Sequence, residues 1–184
     1  MARSVVLLRG INVGTAKQIG MGPLRDVLTA RGYTDVVTHL RSGNVVLGSD
    51  RAEAELVADV HACIAAEFGH DVAVVVRSAA ELAAVVEGGP RALPAGAELD
   101  PKRYLVTFLP EAPAPARVAA VPAAGPDDGA WALHGRELHL WLPAGVLDTP
   151  VGGWRWDRLL GVPGTGRNWT TVTRVAELSA ADPG

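Results

Sequence analysis

Six apolar blocks between Val5 and Val76, separated by glycines and polar turns, restrict the fold more than any single motif in the chain. Val5–Leu8 is short, half β-branched and stopped by Arg9-Gly10, the pattern of a buried strand. Met21, Leu24, Val27 and Leu28 then recur at helical spacing, with Pro23 in the first turn and Gly32 past the end. Asp35–Leu40 and Asn44–Leu47 flank Arg41-Ser42-Gly43 as a hairpin. Asp50 and Glu53 have capping-box spacing ahead of Leu56, Val57, Val60, Ile64 and Phe68. Val72–Val76 predicts another strand. Ser78 and Glu81 repeat the capping-box spacing before an alanine-rich helix that Gly88-Gly89-Pro90 ends. Strand, helix, hairpin, helix, strand is the split βαβ order, and it predicts a ferredoxin-like plait.

The second half follows a similar order. Residues 88–101 are rich in proline and glycine and read as a linker. Tyr104–Leu109 predicts a strand, Arg117–Val121 a short helix, and Ala130–Leu133 with Glu137–Leu142 a second hairpin around His134-Gly135-Arg136. Trp154–Leu160 and Asn168–Leu178 read as helices, with no closing strand between them. The predicted class is α+β: two ferredoxin-like (α/β plait) subdomains with antiparallel sheets, the second incomplete. Residues 1–87 form the first and 102–184 the second.

With 184 residues, 48% of them apolar, the chain can bury a core without disulfides or metals. Five of its nine aromatic residues are tryptophans, all from Trp131 onward, so the core of the first half must be aliphatic. A lone cysteine, Cys63, makes neither an internal disulfide nor a zinc cage and reads as a small core residue. No apolar run reaches the length of a membrane span, and the run after Met1 is too short for a signal peptide, so a cytoplasmic protein is expected. The net charge of −3, with both signs interspersed, argues against general binding to nucleic acid. No His/Asp/Glu constellation has metal-ligand spacing, and neither a metal nor a cofactor is expected.

The predicted topology converts distant residues into neighbours. With the first strand antiparallel to the third, Gly10 lies beside Asn44, and Arg9, Asn12, Lys17, Arg41, Ser42 and Asn44 gather at one end of the sheet. Glycine turns expose successive N–H groups that can form an anion nest, and arginine grips carboxylate or phosphate with two bonds. The loop is neither a Walker A, since Gly10-x-x-x-Gly14-x-x-Lys17 has the wrong spacing, nor a dinucleotide GxGxxG turn. A second polar cluster, Arg167-Asn168-Trp169, opens the last predicted helix. Asn168 or Thr170 reads as its cap there, and a helix start also favours an anion. No nucleophile–base set stands out. His39, on the strand leading into the cradle, is the best-placed histidine for acid–base work.

Leu7-Leu8-Arg9-Gly10-Ile11-Asn12-Val13-Gly14, Arg41-Ser42-Gly43-Asn44-Val45-Val46, Leu138–Pro143 and Arg167-Asn168-Trp169-Thr170-Thr171-Val172 together resemble domain-of-unknown-function family 1697 of bacterial α/β proteins. The resemblance implies an α/β plait arrangement and no particular activity. Where relatives carry a Gly-x-Gly-Arg-Ser-Lys-Leu-like stretch, residues 144–151 here have no serine–lysine pair. Three readings follow. The preferred one is a protein binding a small anionic, phosphate- or carboxylate-bearing molecule, whether or not as an enzyme. The others are a nucleic-acid-associated protein and an interaction module built on exposed tryptophans.

Overall fold

The computed structural model describes residues 2–181, which form two compact units. Unit 1 comprises the chain up to Ala84 together with the segment from Arg174 onward, and unit 2 runs from Val85 to Thr173.

Unit 1 carries β1 (Ala2–Leu8), α1 (Met21–Ala30), β2 (Thr34–His39), β3 (Asn44–Ser49), α2 (Glu53–Phe68), β4 (Val74–Ser78) and most of α3 (Ala79–Glu87). Its sheet has the order β2-β3-β1-β4, antiparallel throughout. Alternation on the central strands sends Val6, Leu8, Val45, Leu47, Val74 and Val76 to one face. There they join Leu24 and Leu28 of α1 and Leu56, Val60, Cys63 and Ile64 of α2 in a continuous core. The reading of Cys63 as a packing residue holds, and burial raises its thiol pKa. The opposite face is buried as well, with Val5, Leu7, Val46, Val75 and the fully buried Arg77. This double burial explains why β1, β3 and β4 read as unbroken apolar runs, a habit more typical of parallel sheets.

The two capping boxes fare differently. Ser78 and Glu81 form the predicted reciprocal pair, with Ser78 N–H donating to Glu81 Oε2 at 2.8 Å and Glu81 N–H to Ser78 Oγ at 3.1 Å. Helix α2 instead starts two residues later than the Asp50–Glu53 spacing implied: Ala52 is its N-cap, and Glu55 Oε2 accepts from the Ala52 N–H at 3.3 Å.

Unit 2 carries β5 (Tyr104–Phe108), α4 (Pro115–Ala119), β6 (Ala130–His134), β7 (Glu137–Trp141), α5 (Pro150–Gly153), α6 (Trp156–Leu160), β8 (Thr165–Asn168) and the start of α7 (Trp169–Ala180). The expectation of an incomplete second sheet is corrected here. β8 pairs antiparallel with β5 from Leu105↔Asn168 to Phe108↔Thr165, giving four strands in the order β6-β7-β5-β8. At four residues, with Gly166 and no apolar run, β8 has no hydrophobic signature. Gly164, just before it, has no room for a side chain, because a Cβ there would lie 2.6 Å from Leu109 Cδ2. On one face Leu138, Leu140, Leu142, Leu160 and Val162 form a core with partly buried Trp131, Trp154 and Trp156.

The two sheets repeat each other in register as well as in order. Leu8 N–H donates to Gly43 C=O at 2.8 Å, and Leu109 N–H donates to Arg136 C=O at 2.9 Å. Val5 pairs with Val46 and Arg77, as Val106 pairs with His139 and Arg167. Each fourth strand therefore ends on a buried arginine followed by a helix-capping residue, Arg77-Ser78 in one unit and Arg167-Asn168 in the other.

Candidate functional site

Leu7 pairs with Asn44, so the end of β1 and the start of β3 lie side by side and the loops after β1 and between β2 and β3 share one rim of the unit 1 sheet. Sequence reasoning anticipated this juxtaposition. The amide of Asn12 fixes the rim. Its Nδ2 donates to Arg41 C=O at 2.7 Å and to Ile19 C=O at 2.9 Å, while Oδ1 accepts from Ile19 N–H at 2.9 Å. Asn12 N–H also donates to Lys17 C=O at 3.1 Å. One side chain thus closes the 12–19 loop and ties it to the hairpin. Asn44 does the same within the hairpin: it is fully buried, and its Nδ2 donates to His39 C=O at 2.7 Å and Ser42 Oγ at 3.2 Å. Both asparagines frame the rim.

The cations occupy its surface. Arg9, Lys17 and Arg41 are all exposed. Lys17 Nζ donates to the Asp71 carbonyl, and Arg41 reaches Gln18 Oε1 at 3.3 Å. Neither Arg9 nor Arg41 has a carboxylate partner among the described residues. Ser42 is exposed beside Arg41. Backbone strain concentrates here too: of the four non-glycine residues with positive φ among the described residues, Asn12, Lys17 and Leu40 lie on these two loops, alongside Gly10, Gly14 and Gly43. His39 closes β2 half-buried, and burial, followed by repulsion from Arg174, lowers its pKa.

The Arg167-Asn168-Trp169 block belongs to unit 2. Of the two candidate caps, Asn168 and Thr170, it is Asn168 that caps, its Oδ1 accepting from Thr171 N–H at 2.9 Å and Thr171 Oγ1 at 2.8 Å. Arg167 is buried and donates to Thr165 Oγ1 and Gly166 C=O, both at 2.8 Å, and burial lowers its pKa to about 10. Trp169 is buried edge-on against Tyr104, with ring centroids 5.7 Å apart.

Two groups escaped the sequence reading. His139 sits between Leu138 and Leu140 in what looks like a plain apolar run, yet strand alternation puts it on the other face. Tyr104 Oη lies 3.0 Å from His139 Nδ1 and accepts the Ala92 N–H at 2.8 Å, so the phenol and the imidazole share one buried hydrogen bond. Burial is the main force holding His139 at about 4 and Tyr104 at about 12, so both are neutral across the physiological range.

The second group lies at the other end of the unit 1 sheet, where Ser49 pairs with Ala2. A pocket of about 320 Å³ there is lined by Arg31, Tyr33, Ser49 and Arg51. Asp59 neutralises its arginines: Arg31 NH2 donates to Oδ1 at 2.7 Å, Tyr33 Oη to Oδ2 at 2.6 Å, and Arg51 lies 3.3 Å away. Led by the Arg31 bonds, these donors hold the Asp59 carboxyl down at about 2. The cations of this pocket are spent on an internal carboxylate. The arginines of the opposite rim are not.

A family model described as "Protein of unknown function (DUF1697)" matches residues 1–139, which span the whole rim. The Arg167 block lies outside that matched stretch. The solved structure of conserved bacterial protein SP0830 from Streptococcus pneumoniae is similar in fold. It has 23% sequence identity and a TM-score of 0.73, with 97% of this chain and 98% of that chain covered. No curated protein matches the chain.

Proposed function

The chain belongs to the DUF1697 family of unknown function, and on that premise we propose that it binds a small phosphate- or carboxylate-bearing molecule at the Gly10–Asn44 rim of unit 1. One observation carries the reading. Arg9 and Arg41 stand exposed and without carboxylate partners on two loops that the Asn12 amide clamps together. An exposed guanidinium without a carboxylate can grip a phosphate or carboxylate with paired bonds. Lys17 and the Ser42 hydroxyl complete the set of donors, and Asn12 and Asn44 position it. The element order βαββαβ in unit 1, and in both units a first strand lying between the third and fourth, support reading each unit as a ferredoxin-like plait.

The test is a double substitution. Arg9→Ala with Arg41→Ala removes two exposed side chains outside the core, so without anions the melting temperature is expected to stay within the range of ordinary surface changes, about 0.5 kcal/mol. Phosphate added in millimolar amounts stabilises the parent, through binding to the native state, and not the double variant. Equal stabilisation of both by phosphate, read in a thermal melt, would overturn the assignment.

A further inference from the structure

Apolar side chains stand among the cations of this rim. Val13 is 68% exposed and Leu40 is 55% exposed, two of the five large hydrophobic residues left open to solvent in the described chain. They are the covalent neighbours of Asn12 and Arg41, whose 2.7 Å hydrogen bond joins the two loops, so both stand on the same tied pair of loops as the cations. Nothing in folding calls for leucine at position 40. Its φ is +58°, a conformation that glycine or asparagine adopts at lower cost, and its side chain adds little to the core. Val13 likewise sits in a one-bridge turn with Ala16, where a polar residue would serve. Strained backbone that presents an apolar side chain to water, on the same loops as arginines that have no carboxylate partner among the described residues, is the observation the inference starts from.

Resting on the anion-site reading above, we infer that the ligand is amphipathic: a small, freely diffusing anion that carries an alkyl or similarly apolar group. Its phosphate or carboxylate meets Arg9 and Arg41, and its apolar portion covers Val13 and Leu40. Burial of hydrocarbon against these two side chains adds affinity that inorganic phosphate cannot gain.

Calorimetric titration with hexyl phosphate and with inorganic phosphate separates the two claims. Hexyl phosphate is expected to bind the parent at least about tenfold tighter than phosphate. In Val13→Ser/Leu40→Asn that preference disappears while phosphate binding persists, and asparagine at the left-handed position keeps the fold intact. In Arg9→Ala/Arg41→Ala both ligands are lost. Equal affinity of the parent for the two phosphates, or a preference that survives Val13→Ser/Leu40→Asn, overturns the amphipathic ligand and leaves the anion site standing. Failure of both phosphates to bind the parent overturns the anion site itself. Binding to phosphatidic acid vesicles without binding of hexyl phosphate overturns the free ligand in favour of a membrane surface.

Discussion

Alanine at position 43 is expected to lower the stability of unit 1 by about 3 kcal/mol, a sum of two costs that alanine at position 10 does not share. Gly43 has φ +80°, where an L-residue pays about 1–2 kcal/mol. Its missing side chain also leaves room for neighbours: a Cβ there would lie 2.7 Å from Ile11 Cδ1 and 2.8 Å from Leu8 Cβ. The Ile11 tip can swing aside, whereas Leu8 Cβ is fixed to the strand whose N–H donates to the Gly43 carbonyl. Overpacking of this kind adds about 1–3 kcal/mol. Gly10 has a similar φ of +65° but open space around it, so Gly10→Ala carries the conformational cost alone. Urea unfolding of the two variants measures the difference. If Gly43→Ala is no more harmful than Gly10→Ala, the close approach between hairpin and strand is not what holds the rim.

The second large effect is a dependence on acid. His139 in the folded chain takes up a proton only near pH 4, against 6.5 for an exposed imidazole, chiefly because burial penalises the charged ring. Between those values the unfolded chain binds a proton that the folded chain refuses. Stability is therefore retained in full above pH 6.5, falls as the pH drops through the window, and levels off below about 4. The total loss is about 3 kcal/mol. His139→Gln removes the titrating group and keeps an acceptor for the Tyr104 hydroxyl. Its stability should fall less between pH 6.5 and 4 than that of the parent, by about that amount. Parallel stability curves for the two proteins across this window would show that His139 is not the group responsible.

What the sequence disclosed depended on whether a residue's role was local. Glycine punctuation and apolar periodicity located the elements of unit 1, and Ser78 with Glu81 announced a helix start because a capping box is contained within four residues. Strand β8 stayed hidden because Thr165-Gly166-Arg167-Asn168 owes its conformation to pairing with β5, about sixty residues earlier. Tertiary partners override weak propensity in this way. At the rim, topology alone anticipated that the loops after β1 and between β2 and β3 lie side by side, but it could not divide their residues by task. That Asn12 and Asn44 spend their amides on backbone carbonyls, leaving Arg9 and Arg41 outward, depends on side-chain direction. His139 was missed for a related reason. An apolar run suggests one buried environment, and only a sheet covered on both faces lets alternate residues be buried against different things.

The register shared by the two sheets allows the units to be read as a pair of diverged twins. Aligning Leu8 with Leu109 and Gly43 with Arg136 sets Pro110 at the place of Arg9, Pro113 at that of Asn12, and Glu137 at that of Asn44. The second twin has thus exchanged a cation for a ring without a charge, the clamping amide for another proline, and the buried amide for an acid. It cannot assemble the same donor set, and an anion approaching it would meet a carboxylate. The anion site proposed for unit 1 therefore predicts a stoichiometry of one ligand per chain, because the second copy of the plan lacks these side chains.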